Sequence, residues 1–229
     1  MTTFVLIHGA YQGGWIWKPV AERLASQGHR VLAPSLDGCA ERKGQVRPGI
    51  TTETHAAEIA DLLFYDDLSD VVLVGTSTGG MVMAAAAERA RERVARLVFA
   101  DALALLDGEA LPDIVKRPTA VNTELTTGPS RHDFETRLFA DLDPAMRAWA
   151  LERCTGHPIA TMTEPVKLPS FWSQTWNTSV IWCKRSANPP IAHQRRTAEK
   201  LKGRWHELDT GHYPMLTEPV ALARLIVEG

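Results

Sequence analysis

The feature that most restricts the fold is a short glycine-flanked turn, Gly75-Thr76-Ser77-Thr78-Gly79. It follows an apolar run at residues 71–74, which predicts a strand, and it opens a run of small helix-forming residues that begins with Gly79 and Gly80. A strand that turns into a helix around a serine needs tiny residues two positions before and after it, because strand and helix approach closely there. The pattern predicts a nucleophile elbow that exposes Ser77 above the carboxyl ends of a parallel sheet.

Short apolar runs alternate with periodic segments in the first hundred residues and again near the end, which is typical of a parallel sheet covered by helices. The predicted strands are residues 4–7, 31–33, 71–74, 97–100, 179–183 and 205–208. Two predicted helices begin near Pro19 and at Gly79, and three others span residues 52–64, 192–201 and 219–227.

The middle of the chain breaks this alternation with many prolines and short helix-like pieces, such as residues 133–139 and 144–153. We therefore predict a sheet-based core, residues 1–101 and 179–229, that is interrupted by a helical cap, residues 102–178. A length of 229 residues fits one large domain with such an insertion.

Composition narrows the class of partner. Apolar residues make up 45% of the chain, and 25 Lys and Arg nearly balance 27 Asp and Glu, which excludes a disordered chain and argues against nucleic-acid binding. The three cysteines, Cys39, Cys154 and Cys183, indicate no disulfide framework. No targeting segment and no apolar run of about 18–20 residues is recognised. We expect a soluble cytoplasmic protein, a monomer or homodimer, that takes a small molecule and binds no membrane.

Position selects the general base among the eight histidines. His212 follows the last predicted strand and precedes the last predicted helix, which returns it to the carboxyl edge of the sheet, where Ser77 is expected. The other histidines do not combine these two features. His8 lies at the end of a predicted strand and is expected to hold the neighbouring loop. We predict that His212 takes the proton of Ser77.

Three motifs give the chain a resemblance to the α/β-hydrolase superfamily. They are His8-Gly9-Ala10 with Gly14-Trp15-Ile16-Trp17, residues 72–81 around Ser77, and the stretch that begins Gly211-His212-Tyr213-Pro214. Within the superfamily the chain is most similar to the branch of plant methyl esterases and hydroxynitrile lyases, with its bacterial serine esterases. The resemblance implies an α/β-hydrolase fold, a helical lid after the sixth strand of the family's count (residues 97–100 here), and a serine esterase without metal or cofactor. It also implies an oxyanion hole formed by the backbone N–H groups of Ala10 and Thr78.

The catalytic acid departs from the family pattern. The usual aspartate follows the seventh strand of the family's count, but this chain has Ser186 there, and a serine cannot stabilise an imidazolium charge. Asp101, at the end of the strand at residues 97–100, is the predicted replacement, as in some similar haloalkane dehalogenases. Three alternatives remain: that Asp101 merely caps the loop into the insertion, that Ser186 or water completes a dyad, or that Asp107 or Asp209 is the acid.

The chain contains seven Trp, three of them in the insertion. A flat, apolar lining would suit a small aromatic or apolar acyl group, although the same residues could simply attach the insertion to the core. The predicted substrate-binding residues are Tyr11, Trp15, Thr76, Leu103, Phe171, Trp172 and Trp176. The predicted activity is cleavage of a carboxylic ester, a methyl carbamate or a lactone through an acyl-enzyme on Ser77. A small-molecule receptor of the same fold is the alternative. A hydroxynitrile lyase is less favoured, because Tyr213 and Ala10 replace the lysine and threonine of those enzymes.

Overall fold

A six-stranded parallel sheet forms the centre of the computed structural model, which describes residues 1–115 and 120–229. The strand order is β2-β1-β3-β4-β8-β9, and every neighbouring pair is parallel. In chain order the strands are β1 (Thr3–Ile7), β2 (Arg30–Leu32), β3 (Val71–Ser77), β4 (Val94–Ala102), β5 (Val121–Asn122), β6 (Thr126–Gly128), β7 (His157–Pro158), β8 (Thr178–Cys183) and β9 (Arg204–Leu208).

The six strands of the central sheet are the six that the sequence predicts. Strand β3 is buried along almost its whole length, as a central parallel strand should be. It continues to Ser77, and β4 continues to Ala102, so both run past the predicted ends toward the carboxyl edge of the sheet. These extensions bring the nucleophile and the predicted acid onto neighbouring strands.

Helices cover the sheet where the sequence predicts them. Pro19 and Pro219 lie in the first turns of α1 and α9, and Thr51 caps α2 by accepting a hydrogen bond from the Thr54 N–H at 3.3 Å. Within the described residues, no helix is both long and apolar enough to cross a membrane. In chain order the helices are α1 (Lys18–Ser26), α2 (Thr52–Tyr65), α3 (Gly79–Arg89), α4 (Leu111–Ile114), α5 (Arg131–Asp133), α6 (Pro144–Leu151), α7 (Ile191–Lys200), α8 (Pro214–Thr217) and α9 (Pro219–Glu228).

The segment between β4 and β8 is less helical than predicted. It contains α4, α5 and α6, but also a small antiparallel sheet in the order β5-β6-β7. The helix-like piece predicted at residues 133–139 is a π-helical turn at Phe134–Leu138. Single turns of 3₁₀ helix occur at Ile159–Met162 and Phe171–Ser173. Frequent prolines keep these elements short, because proline ends a helix and cannot donate to a sheet. Residues 116–119 of this segment lie outside the described residues.

Candidate active site

Ser77 is the last residue of β3 and lies on a sharp turn into α3. Its φ angle is 52°, a left-handed conformation that side chains rarely adopt. The turn is possible because its neighbours are glycines. A Cβ on Gly79 would lie 2.5 Å from the Ile7 carbonyl oxygen, and a Cβ on Gly9 would lie 2.7 Å from Cβ of Ser77. The glycine spacing in the sequence thus corresponds to real close approaches of the backbone.

Asp101 lies at a bulge in β4. Thr76 pairs with Ala100 and Ser77 pairs with Ala102, so Asp101 is an extra residue without a partner in β3. Its φ angle of 48° is left-handed, like that of Ser77. A bulge re-aims the side chain of its extra residue, and here the carboxylate of Asp101 is fully buried beneath His212.

His212 contacts Asp101 directly. The Nδ1 atom of His212 lies 2.6 Å from Oδ2 of Asp101. A carboxylate oxygen accepts hydrogen bonds, so Nδ1 is assigned as the donor in this contact, and Nε2 is the ring nitrogen left for the nucleophile. The imidazole is about one-sixth exposed and lies at the cavity wall that Ser77 also lines. This tautomer is the one that a general base requires.

The other candidate acids are placed differently. Ser186 is close to the same nitrogen, with its Oγ atom 3.4 Å from Nδ1 of His212, but its hydroxyl donates to the Asn188 carbonyl at 2.9 Å. Asp107 accepts from the Leu168 N–H at 2.7 Å, within the insertion. Asp209 is exposed and lies 3.7 Å from Arg185. Asp101 is therefore the carboxylate against the imidazole, while Ser186 borders the same nitrogen.

Two other buried histidines are poor bases. Nε2 of His8 accepts the Leu36 N–H at 3.0 Å, and Nε2 of His193 accepts the Ala104 N–H at 3.0 Å. Burial lowers the pKa of each to about 4, and each lone pair is occupied. His8 also contacts the Gly9 carbonyl at 2.8 Å through Nδ1, so it holds the loop that contains Ala10, as expected.

The thiols are equally unsuited to act as nucleophiles. Burial raises the pKa of Cys39 and Cys154 to about 12 and raises that of Cys183 further. Within residues 1–115 and 120–229, no three His, Cys, Asp or Glu side chains are grouped so that they could hold a metal ion. Ser77 is thus the side chain at this site whose placement suits nucleophilic attack.

A cavity of about 370 Å³ opens beside Ser77 and His212. The predicted oxyanion residues Ala10 and Thr78 line it, as do Tyr11 and Leu103 from the predicted binding set. Sequence reasoning missed the rest of the lining, which comes from the insertion, from the loop after β8 and, at Gly211, from the loop after β9. These residues are Leu111, Val115, Pro129, Arg137, Leu138, Ala140, Asp141, Met162, Arg185, Ser186, Ala187, Asn188, Pro189 and Gly211. They lie on short segments, where no hydrophobic period marks an inward face.

The predicted aromatic lining is not where the structure places these side chains. Phe171 is fully buried and stacks on Trp176, with ring centroids 5.2 Å apart. The indole of Trp172 donates to the Leu105 carbonyl at 3.0 Å, and Arg91 lies 4.2 Å above the Trp176 ring. All three aromatic residues lie outside the cavity lining of the described chain. They attach the end of the insertion to the core, the packing role that the sequence left as the alternative.

Trp15 and Thr76 also lie away from the cavity. Trp15 packs edge-to-face against Trp149 at 5.2 Å, which joins the oxyanion loop region to α6. Thr76 is buried in β3, and its hydroxyl has no hydrogen-bond partner among the described residues. The residue before the nucleophile points into the protein because alternate strand residues face opposite sides. The prediction that these two residues contact substrate is therefore not supported by their positions.

The chain belongs to the alpha/beta hydrolase family. The model of that family matches residues 4–225, nearly the whole chain. A carbendazim-hydrolysing esterase from Nocardioides sp. (strain SG-4G) is 31% identical over 179 residues, which cover 73% of this chain and 74% of the relative. Methylesterase 3 of Arabidopsis thaliana is 30% identical over 142 residues, 61% of this chain, and the match spans only 51% of that relative.

A solved structure resembles the whole chain. It is an extracellular α/β-hydrolase from a Paenibacillus species, described as sharing structural and functional homology with tobacco salicylic acid binding protein 2. It has a TM-score of 0.81 and 25% sequence identity, and the match covers 100% of this chain and 98% of that one. The predicted family is confirmed, and so is the predicted α/β-hydrolase fold with its mostly parallel sheet flanked by helices. The chain is an enzyme of the hydrolase class with relatives named esterases, as the sequence predicted.

Proposed function

We propose that this protein is a serine esterase in which Ser77 is the nucleophile, His212 the general base and Asp101 the acid. The observation that carries the proposal is the 2.6 Å contact between His212 and buried Asp101, beside a cavity that both His212 and Ser77 line. A buried carboxylate that fixes the imidazole tautomer is the part of a triad that chance placement would not supply. The relatives that carry esterase names support the same class of reaction.

The chemistry follows from the geometry in two steps. Nε2 of His212 accepts the hydroxyl proton as Oγ of Ser77 attacks the carbonyl carbon, and the oxyanion is held by the N–H groups of Ala10 and Thr78. Each such donor contributes about 3 kcal/mol to transition-state stabilisation, and α3 begins one residue after Thr78, so its positive end adds to that field. His212 then protonates the leaving alkoxide, and a water molecule, activated by the same nitrogen, releases the acid and restores Ser77.

The cavity favours a small, neutral substrate. Its volume of about 370 Å³ is near the lower end of ligand-binding sites. Leu103, Leu111, Val115 and Met162 give it an apolar wall. The guanidinium groups at its edge are paired with acids, since Arg137 lies 3.0 Å from Asp133 and Arg185 lies 3.7 Å from Asp209. We infer a short or aromatic carboxylic ester, a methyl carbamate or a lactone.

A labelling and turnover experiment tests this proposal. Ser77 should displace fluoride from a fluorophosphonate probe and become covalently labelled, and the wild type should hydrolyse p-nitrophenyl acetate. A panel of short esters, methyl carbamates including carbendazim, and lactones then identifies the preferred acyl group. The Ser77→Ala variant should lose both labelling and turnover. Ser173→Ala is the control and should retain both, because Ser173 is exposed in the insertion and does not line the cavity. If Ser77 is not labelled and no ester is hydrolysed, but a compound of the panel binds tightly, the protein would instead be a receptor.

A further inference from the structure

Gln194 lies behind the predicted acid and is not part of the cavity wall. It is a residue of α7, its side chain is fully buried, and its Nε2 atom lies 2.8 Å from Oδ1 of Asp101. The same nitrogen lies 3.1 Å from the carbonyl oxygen of Pro189. A polar side chain of α7 therefore lies against the buried carboxylate, beneath the loop that follows β8.

The orientation of the Gln194 amide follows from its surroundings. Both groups around the nitrogen, the Asp101 carboxylate and the Pro189 carbonyl, only accept hydrogen bonds, so the NH₂ group must face them. The amide oxygen has no hydrogen-bond partner among the described residues. The reverse orientation would place that oxygen against a carboxylate and leave two acceptors unsatisfied in a buried place, which is strongly unfavourable.

The two oxygens of Asp101 have different partners. Oδ1 accepts from Nε2 of Gln194 and, at 3.3 Å, from the backbone N–H of Cys183, while Oδ2 accepts from Nδ1 of His212. The donors on Oδ1 hold the carboxylate plane and stabilise its buried charge. They leave Oδ2 directed at the imidazole.

We propose that Gln194 is a positioning residue for the acid of this hydrolase: it fixes Asp101 at the bulge of β4 and ties it to the cavity loop through Pro189. The inference rests on the proposed function, because it gives Gln194 a kinetic role only if Asp101 supports His212. Gln194 does not line the cavity. Its effect should therefore fall on kcat and on the pH profile rather than on KM.

The groups near the Asp101–His212 pair allow a clean pH experiment. Burial keeps the thiol of Cys183 on β8 protonated by raising its pKa, and burial lowers the pKa of His193 on α7 to about 4. Arg196 on α7 is paired with Glu109 at 2.6 Å, which lowers the pKa of Glu109. Asp141 faces Gly211, beside His212, and stays unchanged in every variant compared. A shift of the profile between variants then reports the introduced group.

Two variants test the role of Gln194. Gln194→Met keeps the volume but removes the donor, and it should lower kcat by about 10- to 100-fold with little change in KM, the size expected when a hydrogen bond to a buried charge is lost. Gln194→Glu keeps the shape and adds an acid. At low pH its protonated carboxyl can donate to Asp101. Once ionised it adds negative charge that favours the imidazolium of His212, so the acid limb of kcat/KM should move to higher pH by about one unit or more.

Thr197→Val is the matched control. Thr197 is buried one turn along α7, and its hydroxyl donates to the His193 carbonyl at 3.1 Å without reaching Asp101. This variant should lose stability but keep the wild-type pH profile. If Gln194→Met unfolds, the shape-preserving Gln194→Glu still decides the question.

The outcomes separate the two proposals. A kcat for Gln194→Met within about twofold of wild type would overturn the positioning role, since a buried hydrogen bond to the acid should be worth more. So would a Gln194→Glu variant that keeps the kcat and the acid limb of Thr197→Val after its introduced carboxyl has ionised. If wild type and Ser77→Ala are equally inactive toward the ester panel and the probe, the proposed function itself fails. An active wild type, together with the predicted changes in the two Gln194 variants, supports both the proposed function and the positioning role.

Discussion

The core and the insertion contribute to the same cavity, but they do so with different kinds of structure. The core places Ser77 and Asp101 on neighbouring strands of one parallel sheet and His212 in the loop after β9, each held by backbone geometry or by buried hydrogen bonds. The insertion contributes Leu138, Met162 and other wall residues from turns and helices of a few residues. The difference suggests that the core sets the reaction and the insertion sets the fit of the substrate, and substitutions can test this division.

The largest effect is expected at the acid. Asp101→Asn should lower kcat by about 10³- to 10⁴-fold, because an asparagine cannot stabilise the imidazolium and does not enforce the correct tautomer. Ser186→Ala, which removes only a hydroxyl 3.4 Å from Nδ1, should change kcat less than about fivefold. Initial rates on p-nitrophenyl acetate measure both. The opposite ranking would show that the acid position of the relatives, not the bulge of β4, supports His212.

A double variant makes this test sharper. Ser186 borders the same nitrogen, so Ser186→Asp in the Asp101→Asn background returns a carboxylate to the position where the family usually has it. Recovery of about tenfold or more over Asp101→Asn would show that the two positions are interchangeable in charge. No recovery, in a protein with a wild-type melting curve, would mean that the loop after β8 cannot direct a carboxylate at His212.

The core should also determine how the protein responds to acid. His8 and His193 are neutral in the folded protein, with pKa values lowered to about 4 by burial, whereas an unfolded chain protonates them near pH 6.5. Their contribution to stability is complete above about pH 6.5 and is lost as the pH falls toward 4, because the unfolded state then binds more protons. The loss for each is on the order of 3 kcal/mol at most.

Urea unfolding at several pH values between 8 and 4.5 measures that loss. His193→Gln retains an acceptor for the Ala104 N–H but cannot be protonated, so its stability should fall less steeply with pH than that of the wild type. His132→Gln, at an exposed position of the insertion, should leave the slope unchanged. Equal slopes in all three proteins would contradict the assignment of acid sensitivity to the buried core histidines.

The same division explains what the sequence could and could not predict. Continuous apolar strands and the glycines around Ser77 follow from local geometry, so the six sheet strands, the elbow and the place of His212 were predictable. The bulge at Asp101 depends on pairing between β3 and β4, and the donor from Gln194 depends on tertiary packing of a helix with no distinctive pattern. In the insertion, Trp172 and Trp176 were ambiguous because an indole can serve packing or substrate equally well.

Within the insertion, Leu138 should affect substrate choice. It lies on the π-helical turn and lines the cavity, so Leu138→Ala should enlarge the cavity. We expect kcat/KM for esters with a larger acyl group to rise relative to acetate by about tenfold, the scale on which a few methylene groups discriminate. Leu151→Ala, in α6 and outside the cavity lining, is the control and should leave this ratio unchanged. A uniform loss on all esters would instead place Leu138 with the core function.

The smallest expected effect is at Trp172. Trp172→Phe removes the N–H that donates to the Leu105 carbonyl at 3.0 Å but keeps most of the apolar contact with Phe171. A neutral hydrogen bond contributes about 1 kcal/mol, which corresponds to about 2–4 °C in melting temperature for a chain of this size. The ratio of kcat/KM between aromatic and aliphatic esters should stay within about twofold of the wild-type ratio, because a side chain that only packs the protein does not contact the substrate. A larger change in that ratio, with an unchanged melting temperature, would mean that the end of the insertion repacks around the acyl group during turnover. The indole would then be part of the substrate site, and the end of the insertion would affect substrate choice as well as stability.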